Sequence, residues 1–84
     1  MTTRIKSGLR ISDQGMVFDP STGESYTLNP TGLAILKLMV EGAGEDRIFE
    51  VMSTEYQLTR AEFDRYFLDF ISVLKSCQLL ENNA

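Results

Sequence analysis

The chain has 84 residues, 43% of them hydrophobic, and a formal net charge of −4; that suffices for one modest core and is too little for a large enclosed active site. A single cysteine and no histidine exclude an internal disulfide and a histidine-based triad and argue against a zinc site. Residues 1 to 42 carry four basic side chains (Arg4, Lys6, Arg10, Lys37) and four acidic ones (Asp13, Asp19, Glu24, Glu41), so the acidic excess falls in the second half, the reverse of what phosphate contacts demand of a nucleic-acid reader.

In chain order, the amino-terminal residues Met1 to Lys6 show no apolar signal core, and no apolar run reaches membrane-spanning length. A soluble, cytoplasmic protein is the expectation. Leu9-Arg10-Ile11 reads as a first strand, and Ser12-Asp13-Gln14-Gly15 as a tight turn with glycine at its exit. Met16-Val17-Phe18 forms the second strand and Ser25-Tyr26-Thr27-Leu28 the third, because β-branched, aromatic and hydroxylated residues fit a pleated surface. The turn between them has a mechanism: the Asp19 carboxylate accepts backbone N–H groups, Pro20 sets the next φ, and Gly23 supplies a positive φ near the exit.

Asn29 then suits a helix N-cap, with Pro30 at the first helical position, where its missing N–H costs nothing. The first helix runs from Pro30 to about Val40, apolar nearly all round, and is expected to be the most buried; Gly42 and Gly44 end it. The second, roughly Glu45 to Glu55, opens with two acids that suit the positive helix N-terminus; its apolar face is Ile48, Phe49, Val51 and Met52, with Tyr56 a candidate to extend it. Its acids Glu45, Asp46, Glu50 and Glu55 read as a solvated face, or as a surface for a basic enzyme. Thr59-Arg60-Ala61-Glu62 matches a capping box and starts the third helix, whose Phe63, Tyr66, Phe67, Phe70, Ile71 and Leu74 recur at helical spacing. The tail Glu81 to Ala84 is polar and expected to fray. Together these predict an α+β domain over residues 1 to 84, a three-stranded antiparallel sheet followed by three helices, winged-helix-like.

The acidic-Pro-x-x-Gly turn, Tyr26-Thr27-Leu28-Asn29, Thr31-Gly32 opening an apolar helix, the acid-led second helix, Glu55-Tyr56 and a long third helix before Leu79-Leu80 resemble the PqqD family, named for coenzyme PQQ synthesis. The resemblance covers about residues 9 to 80. It implies a peptide-recognition domain that holds the leader segment of a ribosomally made precursor peptide and presents it to a modifying enzyme, typically a radical SAM enzyme. It also implies that the leader adds as a strand on the third strand, in a groove beside the third helix. Relatives usually have a glycine before the final leucines where this chain has Cys77-Gln78, which leaves the helix end and the lower rim of the groove unspecified.

The residues agree with that picture. A three-stranded sheet has a free edge able to accept an extended peptide. Backbone groups from Glu24 to Leu28 (Glu24, Ser25, Tyr26, Thr27, Leu28) are then the binding edge. By strand parity Tyr26 and Leu28 point inward, and Ser25 and Thr27 outward. On the third helix Arg65, Tyr66, Asp69 and Val73 flank the core stripe and are the candidate groove side chains. Tyr26 and Tyr66 equally suit ordinary packing, and Arg65 and Asp69 also stand at i, i+4, where a surface pair is worth little. Cys77 reads as a small buried hydrophobe. Glu62 and Asp64, two apart on a helix, point different ways, so no catalytic residue is expected, nor any cofactor or metal. Competing readings are a winged-helix nucleic-acid module, which the acidic helices oppose, and a homodimerising structural domain whose free edge pairs with its own copy.

Overall fold

In the computed structural model, which describes residues 4–81, strands β1 (Arg10–Ile11), β2 (Met16–Asp19) and β3 (Glu24–Thr27) lead into helices α1 (Pro30–Val40), α2 (Glu45–Tyr56) and α3 (Arg60–Ser76). The sheet is antiparallel in the order β1-β2-β3, which is the predicted α+β arrangement. The parts of the two predicted terminal segments at 1–3 and 82–84 lie outside the described residues.

Both turns work as their residues suggest. At the first, Gly15 takes φ +95°, and a Cβ there would run into the Leu28 carbonyl oxygen. Leu28 in turn donates its N–H to the Gly15 carbonyl at 2.8 Å, so the glycine sets how closely β3 follows β2. At the second, one Asp19 carboxylate oxygen accepts from the Ser21 N–H at 3.0 Å and its hydroxyl at 2.7 Å. The Gly23 N–H closes on the Asp19 carbonyl at 2.8 Å.

Asp19 is 2% exposed. Its other carboxylate oxygen receives the Lys6 ammonium at 2.8 Å. The hydrogen bond from Lys6, then that from the Ser21 hydroxyl, brings its pKa from 3.8 down to about 2. The same amino-terminal stretch pairs with the other end of the chain, an unforeseen feature: Ile5 bridges Leu80, Lys6 N–H donates to Leu79 O at 2.8 Å, and Glu81 N–H to Arg4 O at 2.8 Å.

The helix starts follow their caps. The Asn29 side chain accepts the Gly32 N–H at 2.7 Å with Pro30 in the first turn. Thr59 and Glu62 form the reciprocal box, with Glu62 N–H to Thr59 Oγ1 at 3.2 Å and Thr59 N–H to Glu62 Oε1 at 2.9 Å. The Thr59 backbone N–H, and after it the Thr59 side chain, hold the Glu62 carboxyl below its ordinary range. The helix ends are less ordinary, since Gln57 after α2 and Gln78 after α3 sit at φ 54° and 60°. After α3, Leu79 N–H bonds Leu74 O at 2.9 Å and Gln78 N–H bonds Lys75 O at 3.0 Å. That is the usual left-handed helix closure with glutamine in the position that glycine occupies most easily.

Val17 alone carries the sheet into the fully buried core, where it meets Ile35, Leu36, Ile48, Met52, Phe63 and Leu74. Phe63 is central, edge-on to Phe49 and stacked on Phe67, both at 5.4 Å between ring centroids. Truncating such a ring costs about 3–5 kcal/mol. The Arg60 guanidinium lies 4.9 Å over the Phe49 ring and bonds Asp46 and Asp64 at 3.0 Å each, fastening the start of α3 to α2. No helix among the described residues is long and apolar enough to cross a membrane.

Candidate functional site

The hydrogen-bond phase of the sheet decides which backbone groups its outer edge offers. Antiparallel partners alternate between pairs that exchange both N–H···O bonds and pairs that exchange none. The Leu28 N–H to Gly15 O bond continues the register Met16↔Thr27, Val17↔Tyr26, Phe18↔Ser25 and Asp19↔Glu24. Tyr26 and Glu24 therefore bond toward β2, and Ser25 and Thr27 turn their N–H and C=O groups away from it. The other side of β2 gives the complementary phase, because Ser12 N–H donates to Met16 O at 2.9 Å. Among the described residues no strand lies beyond β3, so two residues' worth of backbone donors and acceptors face outward along this edge.

One hydrogen bond ties β3 to the end of α3, and a close approach of α1 to α3 lies beside Leu28. The Tyr26 hydroxyl donates to the Cys77 carbonyl at 3.2 Å, and a Cβ at Gly32, beside Leu28, would stand 3.1 Å from the Phe70 ring. β3 thus runs antiparallel to the second half of α3. Burial, then the neighbouring Cys77, Glu24 and Asp19, pushes the Tyr26 phenol up. Tyr26 is half-buried on the inner face, while Ser25 and Thr27 are exposed on the outer one.

At 100° per residue, Cys77, Tyr66, Val73 and Asp69 succeed one another around α3 over about 80°, on the side from which Cys77 meets β3. Val73 is 51% exposed, at the level of Tyr26 to Leu28; Tyr66 is half-buried and Asp69 exposed. Arg65 is exposed and lies about 40° beyond Asp69, towards the back of the helix. Arg65, Asp69 and Val73 thus stand in even steps of about 40° around α3, Val73 nearest the side of Cys77 and Arg65 furthest from it. The i, i+4 ion pair of α3 is Arg60 with Asp64 rather than Arg65 with Asp69. Cys77, half-buried, enters the site through its carbonyl, which no side-chain motif announces.

A second concavity of about 760 Å³, between the amino-terminal segment and the α1–α2 turn, is lined by Ile5, Leu9, Met39, Ile48 and Phe67 among others. None of the predicted site residues lines it. Among the described residues no three metal-ligating side chains stand together.

A family model described as "Coenzyme PQQ synthesis protein D (PqqD)" matches residues 14–80. The solved structure "TbiB1 in Complex with the TbiA(beta) Leader Peptide" superposes with a TM-score of 0.82 at 26% sequence identity, over 96% of this chain and 98% of that one. Among curated proteins no relative matches.

Proposed function

We propose, from the premise that this chain belongs to the PqqD family, that it binds the leader segment of a ribosomally made precursor peptide by strand addition on β3 and presents it to a modifying enzyme of the radical SAM type. The observation that carries this reading is the phase of the sheet, which leaves Ser25 and Thr27 bonding outward beside α3. An extended leader takes up those groups through its own backbone, which supplies affinity without selectivity. Its inward-facing side chains lie between Tyr26 and the Tyr66, Val73 and Asp69 side of α3, which supplies selectivity. The role is non-catalytic, and it is carried out in the cytoplasm where the precursor is made. A nucleic-acid role fits poorly: α3 exposes Glu62 and Asp69, and its Arg60 is bonded to two carboxylates.

Amide NMR of the labelled protein, titrated with a synthetic leader encoded beside its gene, tests the proposal. Shifts concentrated in Glu24–Leu28 and along one side of α3 are expected. A folded protein whose spectrum does not change overturns it.

A further inference from the structure

The outer face of the sheet carries two large apolar side chains where a solvent-facing surface is ordinarily polar. Phe18 is 38% exposed and Met16 49%, and both stand on the central strand. Their cross-strand neighbours differ by side. Toward β1, Phe18 faces Arg10; toward β3, Phe18 faces Ser25 and Met16 faces Thr27. The patch is therefore flanked by a charge beside Phe18 and opens over two small side chains toward the free edge.

An added strand continues the same alternation. Residues of that strand bonded opposite Ser25 and Thr27 project their side chains on the Ser25 and Thr27 face, while those between them project toward α3. Two strand spacings, roughly 9.6 Å, separate such a residue's backbone from β2. A large side chain leaning over serine or threonine covers much of that gap, and the Phe18 and Met16 side chains cover the rest.

We infer that Phe18 and Met16 form a second recognition surface for the leader peptide, on the sheet face turned away from the α3 groove, and that they select large apolar side chains at two leader positions spaced i, i+2. The inference rests on the strand-addition reading. Two exposed side chains fall far short of the roughly 1,200 Å² that a stable complex buries, which argues against a second copy as the occupant. The patch is continuous with the edge that the leader occupies, so the leader reaches it at no further cost in association entropy.

The test uses full-length Phe18→Ser and Met16→Ser, with fold checked by circular dichroism, and the synthetic leader encoded beside the gene as the probe. Phe18→Ser is expected to weaken leader binding at least about tenfold, and Met16→Ser several-fold, whereas Arg10→Ala stays within about twofold of the parent. In the wild-type complex, the Phe18 ring is expected to show nuclear Overhauser contacts to leader side chains; this measurement stands even where a variant misfolds. Wild-type binding that is unchanged in folded Phe18→Ser, or a complex without Phe18 contacts, overturns this inference alone. Absence of wild-type binding overturns the strand-addition reading and this inference with it. A free protein that sediments as a dimer, and as a monomer after Phe18→Ser, assigns the patch to a second copy and also overturns the inference.

Discussion

At one edge of the sheet β1 offers two residues, Arg10 and Ile11, with the arginine exposed; at the other β3 offers four, with Ser25 and Thr27 at its middle and end. The short, charged edge is built the way proteins discourage unwanted pairing. The longer edge has small neutral side chains in the outward-bonding positions and a helix alongside. The difference is between a guarded boundary at β1 and, at β3, an edge whose outward backbone groups are open to pairing.

The comparison is broken most directly by Thr27→Pro. It removes an outward N–H while sparing the bonds to β2, so leader affinity is expected to fall at least about tenfold in a protein of unchanged fold. Arg10→Glu, on the guarded edge, is expected to leave affinity within about twofold by the same calorimetric titration. Gly15→Ala strikes the spacing of β3 itself. A left-handed backbone position and a collision with the Leu28 carbonyl lower stability by about 1–3 kcal/mol in urea unfolding, with weaker leader binding as a companion effect.

Asp19→Asn bears on the turn between β2 and β3 and on Lys6, which the carboxylate ties down. The Asp19 pKa is depressed from 3.8 to about 2 in the folded state. Its stabilising contribution is therefore complete above 3.8 and is lost as pH falls from there through about 2. The variant is expected to be less stable at neutral pH and to show a flatter stability profile across that acid window, with leader binding unaltered at pH 7. The smallest effect is expected from Gln78→Gly, which relieves the left-handed residue after α3 and raises stability by about 1 kcal/mol. A melting-temperature scan detects it, and a fall instead of a rise means that the glutamine side chain holds the lower rim.

Much of the fold was legible because its signals are local. Asn29-Pro30, Thr59 with Glu62, and the Asp19-Pro20 turn each announce a boundary within a few residues, and each is where the caps and turn bonds lie. The Ile5 to Leu80 bridge was not legible, since pairing across nearly the whole chain leaves no local mark. Nor were the helix ends at Gln57 and Gln78, which use a left-handed residue without the glycine that advertises one. For the candidate site, parity placed Tyr26 inward and Ser25 and Thr27 outward, as the structure has them. The same arithmetic on α3 ranks Val73, Asp69 and Arg65 by their angle from the Cys77 side, and on β2 it turns Met16 and Phe18 out together. Those steps needed the inner side of each element, which the Tyr26 to Cys77 bond and the burial of Val17 supply.

The joining of Arg4–Lys6 to Leu79–Glu81 bears on how the chain can be rewired. Because the described ends run side by side, a short linker can connect them and new ends can be opened at the exposed Gly42, beyond α1 and away from β3. Such a circular permutant keeps every strand in its register while changing the order in which sheet and helices are made. It turns connectivity into a variable that can be altered independently of the binding edge.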